Sequence, residues 1–122
     1  MKLIITTIAA MLLAGCGTTT AMLIHKAAFD GNIKAVKRHL DAGVDANAQT
    51  RSENTPLHAA VDQGHVETGE LLIAKGADLN ARMKGGGYTV LDLANLKEQI
   101  ELAGLLRKYG ARTVEELKAE GK

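Results

Sequence analysis

The sequence predicts an all-α fold: a solenoid of three helix-turn-helix repeats with hairpin-like loops, closed by a C-terminal capping helix. Three observations carry this: a period of about 33 residues, helix start and stop signals at fixed places within it, and a core palette poor in rings. Of the 122 residues 46% are apolar, and Phe29, Tyr88 and Tyr109 are the only large rings. Leu, Ile, Val and Ala must then build the core, which suits closely packed helices better than a β-sandwich rich in aromatic and β-branched residues. The length fits one domain. Lys and Arg number 15 against 14 acids; no positive excess is left to neutralise phosphates, and no nucleic-acid partner is expected.

The chain opens as an address. Met1 and Lys2 give a short positive start, Leu3 to Leu13 is apolar apart from Thr6 and Thr7, and Ala14 and Gly15 lead into Cys16. That is the layout of a signal peptide. As a helix the apolar run would rise only about 16 Å, against roughly 30 Å of hydrocarbon, too short for a normal span. Leu13-Ala14-Gly15-Cys16 resembles the lipobox of bacterial lipoproteins. The resemblance implies a signal peptide over 1–15, a diacylglyceryl group on the Cys16 thiol and a mature chain beginning there. With Gly17 where a retention aspartate would sit, it points to the outer membrane facing the periplasm. Residues 16–20 would form the lipidated N-terminus and tether, Gly17 to Thr20 reaching roughly 14 Å at about 3.6 Å per residue.

The repeats come next, about 21–53, 54–87 and 88–112. Leu57-His58 recurs upstream as Ile24-His25 and downstream as Leu91-Asp92, and Gly43-Val44-Asp45-Ala46-Asn47-Ala48 returns as Gly76-Ala77-Asp78-Leu79-Asn80-Ala81. In the middle copy Thr55 can cap a helix whose first turn holds Pro56, where a missing N–H costs nothing. Gly31 and Gly64 sit where a short helix must stop and reverse, with Glu98 at that place in the third copy. Ile33, Val36 and Leu40 then give a second helix one apolar stripe, as do Val66, Leu71 and Ile73. Gly69 and Gly104 fall inside second helices, where glycine costs about 1 kcal/mol unless close packing compensates. The third copy carries one extra residue within Lys84-Gly85-Gly86-Gly87, which predicts a longer loop. Thr113 and Glu116 form a capping box for the last helix, over 113–122.

Thr55-Pro56-Leu57-His58-Ala59-Ala60, followed by Gly64-His65-Val66-Glu67 and Leu71-Leu72, resembles the ankyrin-repeat signature. The first copy departs from it with Met22-Leu23 for Thr-Pro, and the third with Val90 and Asp92 for Pro and His. Outer copies are expected to diverge because each faces water on one side. The resemblance implies an ankyrin-repeat solenoid in which His25 and His58 link each turn to the next repeat, and in which Gly64 and Gly76 are structural.

No chemistry competes with this reading. His25 and His58 lie one repeat apart with no i, i+4 pair, so no metal site is expected, and His39 and His65 lack partners at ligand spacing. The glycines 85–87 have no following Gly-Lys-Ser/Thr and read as a loop insertion. Ser52 is the only serine and has no G-x-S-x-G around it. We therefore expect no catalytic residue, no cofactor and no small-molecule substrate. By the resemblance, protein partners are bound by hairpin tips and by the exposed side of the first helices. The matching positions are Phe29 and Asp30 in the first copy, Arg51, Ser52, Asn54, Asp62 and Gln63 in the second, and Tyr88, Leu96 and Lys97 in the third. Phe29, Tyr88 and Leu96 would be exposed anchors, unless the N-terminal segment covers Phe29 and the last helix covers Leu96. The expected function is protein–protein interaction by a membrane-anchored lipoprotein in the bacterial cell envelope, with an envelope-associated partner. Alternatives are an immunity or inhibitor protein against a toxin or hydrolase, and an accessory subunit of an envelope enzyme.

Overall fold

The protein is seen in a computed structural model that describes residues 18–51, 54–84 and 87–121. The signal peptide, Cys16, Ser52 and the glycines Gly85 and Gly86 lie outside the described residues. Seven helices and no strand occur among those described: α1 (Thr18–Asp30), α2 (Ile33–Asp41), α3 (Pro56–Asp62), α4 (Val66–Ala74), α5 (Val90–Leu96), α6 (Ile100–Lys108) and α7 (Val114–Ala119). None is long and apolar enough to cross a membrane. One expectation is corrected at the start. Residues 18–20, expected to be part of the tether, belong to α1; at about 1.5 Å per helical residue they span less than an extended chain would.

The helices form two layers. α1, α3 and α5 pack side by side as an inner row, and α2, α4 and α6 as an outer row behind them. The repeat places the same residues at the seam of each layer: Ile24, Leu57 and Leu91 are fully buried, as are Ala60 and Ala94. Outer-row Val36, Leu72 and Leu106 close the core from behind. Burying each of the larger side chains contributes about 1.5–3 kcal/mol. A Cβ on Gly69 would sit in ordinary contact, 3.5 Å from Leu102 and 3.8 Å from Leu57, so packing leaves room for a side chain there and does not compensate the glycine. Gly104 has no such neighbour and remains a local weakness.

Helices α3, α5 and α7 each begin on a threonine cap. Thr55 accepts from the His58 N–H, Thr89 from that of Asp92 and Thr113 from that of Glu116. Each inner helix then ends in a left-handed residue: Gly31 at φ 71°, Gly64 at φ 73° and Glu98 at φ 57°. At the two glycines a second constraint applies. A Cβ on Gly31 would lie 2.6 Å from the His65 ring, and one on Gly64 2.8 Å from the Gln99 side chain. Glu98 is exposed and holds a side chain in this conformation at the cost of backbone strain.

The loops are tied across repeats. Asn47 accepts from the Asp78 N–H and donates to the Gly76 carbonyl at 3.1 Å, and Asn80 accepts from the Arg112 N–H at 3.0 Å. Asp45 and Asp78 each accept from the N–H two residues on, at 2.9 Å. The recurring Asp-x-Asn is thus a ladder of side chains standing in for strand pairing. The hairpin-like closures are Thr50 N–H to Asn54 C=O at 3.2 Å and Met83 N–H to Tyr88 C=O at 3.1 Å, the second enclosing the extra residue.

Candidate functional site

The inner-row helices hold the residues that the repeat pattern singles out. His58 is 1% exposed and uses both ring nitrogens. Its Nδ1 accepts from the Thr55 backbone N–H and lies 2.9 Å from Thr55 Oγ1. The proton is therefore on Nε2, which donates to the Tyr88 carbonyl of the next repeat at 3.1 Å. Burial holds this imidazole below its ordinary value, against a smaller opposing pull from the Tyr88 carbonyl. The expected inter-repeat link is present here. At His25 it is not: its buried Nε2 has no hydrogen-bond partner among the described residues, and burial lowers its pKa too. Met22 stands where Thr55 stands in the next copy, so no capping hydroxyl fixes the His25 ring.

Asp92 takes the third place in this series. A carboxylate can only accept, and Asp92 accepts from the Thr89 N–H at 3.2 Å and from the Val114 N–H at 2.8 Å. The direction of the link is reversed, and its partner is the capping helix instead of a fourth repeat. α7 is further held by buried Leu117 and by the Arg107–Glu116 pair at 3.0 Å. The Arg107 guanidinium, with smaller help from Thr113, keeps the exposed Glu116 carboxyl below the usual range.

Several of the expected binding residues converge. Phe29, Asn54 and Asp62 line one cavity of about 160 Å³, together with His25, His58 and Met83. Phe29 is 42% exposed and Leu96 61% exposed, so neither is covered by the described N-terminal or C-terminal helix. Asp62 is paired with Lys97 at 3.2 Å and accepts from Gln63 at 2.8 Å, which brings three of the expected residues to one edge. The others lie apart. Asp30 pairs with Lys26 at 3.0 Å, Arg51 is exposed on its loop, and Tyr88 lines a separate hollow of about 250 Å³ beside Val114 and Glu115.

Sequence reasoning passed over His65. Its Nε2 sits 2.9 Å from the Phe29 carbonyl, and its ring lies over Gly31. Asn32, His65 and Gln99 occupy one repeat position, and the last two each cover the glycine turn of the preceding copy. A search for polar residues following the turn, in place of metal-ligand spacing, would have found the pattern.

Comparison with known proteins agrees with this architecture. A family model described as ankyrin repeats, in three copies, matches residues 24–116. An ankyrin repeat-containing protein of Schizosaccharomyces pombe is 36% identical over 97 residues, covering 79% of this chain and 45% of that protein. The neurogenic locus notch homolog protein 2 of Homo sapiens is 39% identical over 98 residues, 80% of this chain and 4% of its own length. The serine/threonine-protein kinase 12 of Arabidopsis thaliana is 31% identical over 83 residues, 68% of this chain and 18% of its own. The chain spans less than half the length of each of these relatives, which share the repeat module with it. Such repeats imply protein–protein interaction. With the signature, the two-layer stack and the Asn ladder all in place, the chain belongs to the ankyrin-repeat family.

Proposed function

We propose that this protein is a lipid-anchored interaction module: Cys16 attaches it to a bacterial envelope membrane, and its inner helices and loop tips bind another protein there without catalysing a reaction. The observation that carries the binding half is the exposed Phe29 beside a cavity that also gathers Asn54 and Asp62. An exposed aromatic side chain lining a hollow of mixed polar and apolar residues suits an interface anchor. The anchoring half rests on Leu13-Ala14-Gly15-Cys16 and the apolar run before it. Two or more acyl chains, at about 0.8 kcal/mol per buried methylene, make such attachment durable, whereas one is marginal.

One paired experiment tests both halves. Metabolic labelling with a palmitate analogue is expected to mark the wild type and not Cys16→Ala; labelling of the variant removes the anchoring assignment. Affinity capture from the native envelope, with Phe29→Ala as the control, is expected to lose its partner in the variant. Equal capture by both proteins removes Phe29 from the binding surface.

A further inference from the structure

Resting on the anchoring half of that reading, we propose that the open end of the stack, formed by α1 and the exposed face of α2, lies against the anionic phospholipid surface to which Cys16 is fixed. The repeat identifies this end. Leu23 occupies the position of Pro56 and Val90, and Lys26 that of Ala59 and Leu93; all four of those residues are buried, and each belongs to a copy with another repeat in front of it. Arg38 likewise takes the place of the half-buried Leu71 and Leu105. The first copy has no repeat in front of it among the described residues, and there Leu23 is 49% exposed and Met22 57% exposed. A terminal repeat that faces water turns polar residues outward. Two large apolar side chains at this place form a surface for something else.

Charge names the cover. Lys34, Lys37 and Arg38 are exposed on α2 at steps of three and four, so they share one face of that helix. The later copies hold no such stripe: Glu67 and Glu101 align with Lys34, and Glu70 with Lys37. Residues 18–44 thus carry four cations against two acids, whereas residues 45–122 carry ten against twelve. Of the two acids, Asp30 is paired with Lys26 at 3.0 Å, which leaves Asp41 beside the three cations of α2. Apolar side chains flanked by Lys and Arg are the composition of a surface that enters the headgroup zone of an anionic bilayer, the cations meeting phosphates. Reach agrees, since Gly17 alone separates Cys16 from the start of α1. Two extended steps and about 1.5 Å per helical residue keep Met22 and Leu23 within roughly 15 Å of the acylated cysteine. The acyl chains hold the protein at the bilayer, and the docked end sets its orientation, with the second and third copies directed away from the lipid.

The test uses the protein isolated from the membrane fraction and reconstituted in phospholipid nanodiscs that carry a nitroxide on the lipid headgroup, with Met and Leu methyl groups read by NMR. In discs containing phosphatidylglycerol, the Met22 and Leu23 signals are expected to broaden several-fold more than that of Leu96, which is more exposed but belongs to the third copy. Discs of phosphatidylcholine alone, and Lys34→Glu with Lys37→Glu in the anionic discs, are each expected to lose most of that difference. Both substitutions fall at exposed positions, and unchanged methyl signals from buried Leu57 and Leu91 report that the variant is folded. Equal broadening at Leu96 overturns the inference. So does the absence of broadening at Met22 and Leu23, whether water, residues 1–17 or another protein covers them, and so does the same broadening in neutral discs or in the charge-reversed variant. The mass of the Cys16 peptide from the same sample reads the anchor separately: an acylated Cys16 with unbroadened Met22 and Leu23 overturns the docking alone, whereas an unmodified Cys16 overturns the anchoring reading and the inference that rests on it.

Discussion

The first and second repeat junctions use the same residue type and reach different ends. His58 is oriented by Thr55 and delivers its Nε2 proton to the next repeat, while His25, with Met22 before it, is buried with that nitrogen unpartnered among the described residues. A linking histidine thus depends on two neighbours: a hydroxyl behind it to set the ring and the tautomer, and a carbonyl ahead to receive the proton. Where the first is missing, the same imidazole stays buried with one nitrogen unpartnered among the described residues. The third junction shows the complementary solution, since Asp92 keeps its Thr89 cap and turns the link round to accept an N–H.

This contrast can be broken in measured steps. The largest effect lies in the core that the junctions share: Leu57→Ala, at a fully buried position, should cost about 2–5 kcal/mol in a denaturant titration. His58→Ala should cost about 2 kcal/mol through the unsatisfied Tyr88 carbonyl and the lost cap contacts, whereas His25→Ala should cost less than half of that; equal costs would show that the two rings do the same work. Glu98→Gly should stabilise by about 1 kcal/mol, because glycine adopts φ 57° without the Cβ penalty. Arg51→Ala, exposed on its loop, should stay within about 0.5 kcal/mol.

Acid supplies the remaining test. The folded-state pKa of His58 lies below its unfolded value of 6.5, so the unfolded chain binds protons that the folded chain refuses. The stability that its neutral ring secures is full above pH 6.5 and declines as pH falls from there towards the folded pKa. Protonation of Nδ1 would also end its acceptance of the Thr55 N–H. Denaturant midpoints measured from pH 7.5 down to about 5 should fall, and the fall should shrink in His58→Gln. Glu116 acts in the same sense at lower pH: its pKa lies below 4.5, so what it contributes is present above that value and lost as pH drops through the folded pKa.

Much of the architecture was legible because repeat proteins state each local rule more than once. Thr55-Pro56 marked the start of α3, Gly31 and Gly64 marked the turns, and the returning Asp-x-Asn marked the loops before its ladder of hydrogen bonds was seen. The helical state of Thr18–Thr20 was less legible, since these β-branched residues read as a tether and helix formation there is decided by the helix that follows them. His65 was missed for a different reason: its partner, the Phe29 carbonyl, is a backbone group 36 residues away that no side-chain spacing announces.

By itself, then, the sequence determined the helices, their order and their turns, because capping, proline placement and apolar period act over a few residues and are written in them. It also named most of the surface positions, since the repeat assigns each an outward place. Tertiary structure alone decided which of these meet. Phe29, Asn54 and Asp62 share a cavity while Tyr88 sits beside α7, and His25 Nε2 has no partner among the described residues while His58 Nε2 is bonded. The physical reason is that a hydrogen bond between repeats requires donor and acceptor to arrive within about 3 Å after stacking, and that distance depends on how the helices pack around each residue as well as on the residue itself.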